Sequence, residues 1–133
     1  MKVHGRCHCR FVEYEAEADP AKVAICHCTD CQALTGSAYR VMLPAEPGSF
    51  RLLHGEPTHY EKTAESGNRR VHAFCPRCGS PVYSTTPERS ANYTLRVGAL
   101  DERHQLPPRR RIWCRSALAW STNLDGLEQR ERQ

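Results

Sequence analysis

The sequence predicts a mainly β fold of short antiparallel strands with little helix. Three observations carry that prediction. Apolar and polar residues alternate over short runs, turn-forming residues close each run, and seven of the eight cysteines gather in three tight groups that can cross-link a small core. At 133 residues the chain is sized for one domain, 1–133, with a core from about 5 to 120 and a C-terminal tail over 121–133.

The clearest alternation is "RFVEYEAEA", where Val12, Tyr14, Ala16 and Ala18 face one way and Glu13, Glu15 and Glu17 the other, as in a half-buried strand. "KVAICH" reads as the next strand. "DCQALTG" is the best helical segment, with Asp30 placed to cap one turn and Gly36 to end it. "AYRVML", "SFRLLH", "RRVHAF", "PVYST" and "NYTLRVG" follow as strands, each ended by Gly, Pro, Asn, Asp or Ser. "IWCRSALAW" is apolar and strand-like. Pro44, Pro47, Pro57, Pro107 and Pro108 mark connections.

With 39% hydrophobic and 26% charged residues, the composition excludes a disordered chain. No run of 18 apolar residues occurs and no signal peptide is visible, so the expected protein is soluble and cytoplasmic, without membrane contact. In a reducing compartment, closely spaced cysteines argue for metal thiolates over disulfides. The net charge of +4 is modest, and part of it is local: five arginines between 103 and 115 stand against Asp101 and Glu102.

The cysteine pattern is CxC at Cys7 and Cys9, CxCxxC at Cys26, Cys28 and Cys31, and CxxC at Cys75 and Cys78. In "CPRCGSP", Pro76 fixes one φ and Gly79 permits a left-handed residue, so both sulfurs point at one ion. On an extended strand the residues of a CxC pair share a face, so their sulfurs can converge on zinc. The histidines between them, His8 and His27, then point away, as outer-layer or surface residues. Joining Cys7 and Cys9 to Cys75 and Cys78 closes a four-thiolate zinc site. Cys26, Cys28 and Cys31 form a second site with three local ligands, whose fourth position is either open to an exchangeable group or filled by Cys114. Inside its apolar stretch, Cys114 reads as a small core residue.

With "GRCHCRFVEYE", "CHCTDCQALTGSAY", "FCPRCGSPVY", "VGALDE" and "IWCRSALAW" in this order, the chain resembles the glutathione-dependent formaldehyde-activating enzyme family, which includes the centromere protein V relatives. The resemblance spans about Gly5 to Trp120. It implies a β-tent fold with two zinc ions: a structural one at Cys7, Cys9, Cys75 and Cys78, and a catalytic one at Cys26, Cys28 and Cys31. It also implies carbon–sulfur lyase chemistry, in which a glutathione thiol adds to formaldehyde to give S-hydroxymethylglutathione. The relatives often carry His before "IW" and Lys further along, where this chain has Arg111 and the Ser116–Ala117 region.

Gln32, Thr35, Gly36 and Ser37, just beyond Cys31, are the candidate substrate contacts, offering N–H and hydroxyl donors to an anionic peptide or a developing alkoxide. The rival reading is a zinc-stabilised binding module that docks protein or nucleic acid through the arginines from 103 to 115. An aromatic content of 8% and the lack of a recognition helix weigh against nucleic acid. A redox role for the CxxC pair lacks its βαβ context.

Overall fold

The computed structural model describes residues 1–64, 66–89 and 91–133. Its strands are β1 (Lys2–Arg6), β2 (Glu13–Glu17), β3 (Ala24–Cys26), β4 (Arg40–Pro44), β5 (Arg51–His54), β6 (Thr58–Thr63), β7 (Arg69–Phe74), β8 (Pro81–Thr85), β9 (Thr94–Arg96) and β10 (Arg110–Ile112). The helix α1 (Thr29–Thr35) joins β3 to β4. Among the described residues these strands form a three-stranded sheet, β1-β2-β5, and a seven-stranded sheet, β10-β3-β4-β9-β8-β7-β6. The predicted mainly β fold is therefore the observed one.

Alternation decides what each sheet buries. In β2, Tyr14 and Ala16 are buried and join Val3 of β1, while the glutamates face outward. Across the larger sheet, Leu43 pairs with Leu95, Leu95 with Tyr83, and Tyr83 with Ala73, so these four share one face and lie in the same core cluster. An aromatic group closes the core: Phe50 stacks on Tyr93 with centroids 3.9 Å apart, and Tyr14 and Tyr83 meet edge to face at 5.8 Å. Gly5 sits opposite Tyr14 in the β1–β2 register, and a Cβ there would overlap the Tyr14 ring.

The same registers set the opposite face. Cys26 pairs with Arg40, Met42 with Arg96, Thr94 with Ser84, Ser84 with His72, and Arg70 with Lys62. Residues two apart on a strand point the same way. One face of the seven-stranded sheet thus carries Cys26, Arg40, Arg96, His72, Arg70 and Lys62.

Three strands escape the sequence expectations. β1 is short and contains Gly5. β6 is an edge strand with mostly exposed residues, so it shows no apolar alternation. β10 runs parallel to β3, not antiparallel. "IWCRSALAW" is no strand beyond Ile112: Trp113 adopts φ 56°, and 3₁₀ turns follow at Cys114–Ser116 and Ala119–Thr122. Cys114 is consequently exposed, not a core residue. No helix among the described residues is long and apolar enough to cross a membrane.

Candidate metal centres

Cys7 and Cys9 lie on the turn between β1 and β2, not on an extended strand. The turn is closed by Cys7 N–H to Val12 O at 3.1 Å and Arg10 N–H to Cys7 O at 3.1 Å, with Arg10 at φ 66°. Cys75 and Cys78 form the predicted knuckle, where Gly79 at φ 76° donates its N–H to Cys75 O at 2.8 Å. All four sulfurs lie within 4.8 Å of one another, and the set can hold a metal ion.

Four thiolates at about 2.3 Å around a tetrahedral ion would be about 3.8 Å apart. Here Cys7 Sγ to Cys9 Sγ is 3.6 Å and Cys9 Sγ to Cys75 Sγ is 3.7 Å, so the donors fit such an ion. Backbone donors are already in place, with Val12 N–H to Cys7 Sγ at 3.3 Å and Arg77 N–H to Cys75 Sγ at 3.4 Å. They offset thiolate charge. Without metal, the Cys78 thiol is brought down to about 5, chiefly by the Ser80 hydroxyl beside it. The Arg77 guanidinium lies 3.8 Å over the Phe11 ring and ties the two turns together.

The second cluster is built by the β3–α1 junction. Cys26 ends β3, Cys28 is the N-cap of α1, and Cys31 lies one turn in. The Cys28 sulfur accepts the Cys31 N–H at 3.3 Å, the role the sequence assigned to Asp30. Asp30 instead sits in the first helical turn and pairs with Lys62. Gly36 ends the helix at φ 61°, as expected. The three sulfurs lie within 4.8 Å of one another, and no fourth His, Cys, Asp or Glu joins them among the described residues. Cys26 and Cys31 are only 4% and 6% exposed. Without metal, a hydrogen bond from Cys31 holds Cys26 down to about 5, burial opposing and Arg40 assisting. Cys31 is pushed up, first by sharing that bond and then by burial.

The remaining candidates fall into place around this junction. His8 is exposed, but His27 is buried, edge to face with Tyr39 at 5.4 Å, so of its two expected placements, outer-layer or surface, the surface one is excluded. Neither histidine belongs to a cluster. Gln32 Nε2 donates to His27 O at 2.9 Å and Ser116 O at 3.0 Å, and Thr35 Oγ1 donates to Cys31 O at 2.7 Å. The Gly36 and Ser37 N–H groups close the helix end on Ala33 O and Gln32 O, both at 3.3 Å. These donors therefore hold the turn in shape. Gln32, Gly36 and Ser37 border a surface depression with Leu118 and Trp120, whereas Thr35 lines a different recess with Tyr39, Arg40 and Arg96. Sequence reasoning missed Arg40 and Arg96. The available signal was a charged residue inside each of two apolar runs, "AYRVML" and "NYTLRVG".

The fold and site define a mainly β protein with one four-thiol and one three-thiol cluster, each of which could hold a metal ion. More narrowly, residues 2–116 match the family described as glutathione-dependent formaldehyde-activating enzyme, and the chain belongs to that family. A crystal structure of a Rhodobacter sphaeroides protein shares the fold, with a TM-score of 0.61 and 23% identity over 84% of this chain and 99% of that one. No curated protein sequence matches the chain.

Proposed function

We propose that the protein makes and breaks the carbon–sulfur bond between glutathione and formaldehyde, with zinc at both clusters. In the forward direction the thiol sulfur bonds to the aldehyde carbon, the carbonyl π bond breaks, and the thiol proton ends on the new hydroxyl of S-hydroxymethylglutathione. The observation that carries this reading is the unequal ligand count: four cysteines in one cluster, three in the other, with Cys114 exposed and belonging to neither. Family membership names the two reactants.

Cys7, Cys9, Cys75 and Cys78 serve as the structural ligands and fasten the first turn of the chain to the β7–β8 turn. Cys26, Cys28 and Cys31 serve as the catalytic ligands. A zinc ion there supplies positive charge that lowers the pKa of an arriving thiol. The chain's own contribution is to hold that site. The Cys31 N–H fixes the Cys28 sulfur, Gln32 clamps the helix start to Ser116 O, and Thr35 and Gly36 fix its end. Burial excludes bulk water and strengthens every charge interaction around the sulfurs.

The test mixes zinc-loaded protein with glutathione and formaldehyde and follows adduct formation by exchange NMR against the uncatalysed rate. Acceleration that disappears in Cys28→Ala supports the proposal. No acceleration by protein carrying both ions overturns it.

A further inference from the structure

We propose that Arg40 and Arg96 form a receptor for a carboxylate of the thiol ligand, in a recess on the sheet face that also carries Cys26 of the three-cysteine cluster. This deepens the function above and rests on it for the identity of the ligand.

Arg40 and Arg96 are each 6% exposed, and neither makes an ion pair with an acid among the described residues. A buried cation without a counter-charge is costly, so such groups are normally paired. Nε of both guanidiniums is buried and has no hydrogen-bond partner. A third donor joins them. Arg96 Nη2 lies 3.2 Å from His72 Nδ1, and because a guanidinium only donates, Nδ1 accepts and the imidazole proton sits on Nε2. That Nε2–H is likewise buried and unpartnered. Burial first, then the surrounding cations, hold His72 down to about 3, so the ring is neutral at physiological pH. Three unsatisfied donors with no acceptor call for an acceptor-only group, and a carboxylate is one.

Arg40, Arg96 and His72 line a recess of about 400 Å³ whose other walls include Leu34, Phe74 and Pro81. Arg40 and Arg96 also line an adjoining recess of about 650 Å³ that reaches Thr35 and Tyr39 and, further along, Cys7 of the four-cysteine cluster. These volumes suit a small peptide. The cluster is close by register: Arg40 is the cross-strand partner of Cys26.

Charge balance agrees. The sheet face carries Arg40, Arg70, Arg96 and Lys62, and α1 supplies one acid, Asp30, bound to Lys62. Four cations less one carboxylate leave a surplus of three. A divalent ion with three thiolates would absorb one unit, and the two left over match glutathione bound as its thiolate, whose two carboxylates and sulfur outweigh its one ammonium by two. Arg70 donates to Ser84 Oγ at 3.0 Å and Thr94 Oγ1 at 3.3 Å, and Arg96 to Thr94 O at 3.4 Å and His72 Nδ1 at 3.2 Å; Arg40 and Arg96 are the pair whose Nε is buried without a partner.

The test uses S-methylglutathione, whose thiol is blocked, and its dimethyl ester, each titrated calorimetrically into metal-loaded protein. The diacid is expected to bind about tenfold or more tightly than the diester. Arg96→Gln and Arg40→Gln should each weaken the diacid by about tenfold or more and leave the diester unchanged, while Arg110→Gln, exposed on β10, changes neither. Equal affinity of acid and ester in the unmodified protein overturns the proposal without reliance on any variant. Inorganic phosphate that binds more tightly than the diacid overturns the carboxylate assignment. Carboxylate-dependent binding without formaldehyde turnover keeps the receptor and defeats the reaction. Turnover with equal affinities does the reverse.

Discussion

Cys28 has two separable jobs, and two substitutions separate them. Its sulfur is one of three in the second cluster, and it also accepts the Cys31 N–H at 3.3 Å as the N-cap of α1. Cys28→Ala removes both functions, whereas Cys28→Ser removes the thiolate but keeps an oxygen that caps helices well. Both variants should fall from about two zinc ions per chain to about one, since the four-cysteine cluster is already complete. Having lost the same ion, they should still differ in stability by the cap alone, about 1 kcal/mol. With a urea slope of about 1–3 kcal/mol/M, the Ser variant should unfold roughly 0.3–1 M later than the Ala variant. Metal content by mass spectrometry and urea unfolding by circular dichroism read the two effects. Retention of both ions in either variant would refute the ligand assignment. Loss of both would refute the independence of the clusters, and coincident midpoints would refute the cap.

Three further outcomes follow from the same structure. Gly5→Ala should cost about 2–4 kcal/mol by urea unfolding, because the added methyl displaces a buried Tyr14 ring whose hydroxyl donates to Val82 O at 3.0 Å. A cost below about 1 kcal/mol would show that the ring yields freely. Cys114→Ser should keep the metal content and shift stability by less than about 0.5 kcal/mol, since Cys114 is exposed. Loss of an ion would place its sulfur on the second cluster. For pH, His72 titrates at about 3 when folded against 6.5 when free, so between those values the unfolded chain binds more protons. Its contribution is complete above 6.5 and declines as pH falls, so His72→Gln should flatten the loss of stability between pH 6.5 and 5.5. Parallel curves would refute this.

Much of the fold was legible because burial leaves a mark at period two. Val12, Tyr14, Ala16 and Ala18 announce β2, and all four are buried. The Cys75–Cys78 knuckle was legible because Pro76 and Gly79 have little choice of backbone angle. β6 left no mark because an edge strand buries little on either face. The turn from Cys7 to Arg10 was hidden because only the folded chain shows Arg10 in the left-handed region. Cys28 was passed over as a cap because a side chain seldom used for capping competes there with Asp30. Arg40 and Arg96 were invisible as a pair because they are 56 positions apart in sequence and meet only through the β4–β9 register.

The exposure of the two clusters also bears on the division of labour proposed for them. In the four-cysteine cluster Cys7 and Cys75 are buried but Cys9 and Cys78 are exposed, whereas in the three-cysteine cluster Cys26 and Cys31 are buried, Cys28 is half-buried and none is exposed. A staple between two turns needs only reach and backbone N–H support, and water around it does no harm once all four ligands are protein. The site proposed to receive a thiol gains from its lower exposure, because charge interactions strengthen as the dielectric falls. Its buried sulfurs then need cations close by, and the β3–β4 register supplies one by setting Arg40 across from Cys26. The strand pair that ends in a ligand therefore also begins the cationic face. A one-residue slip in β4 would turn Arg40 to the other side of the sheet and strip the cluster of its neighbouring positive charge in the same step.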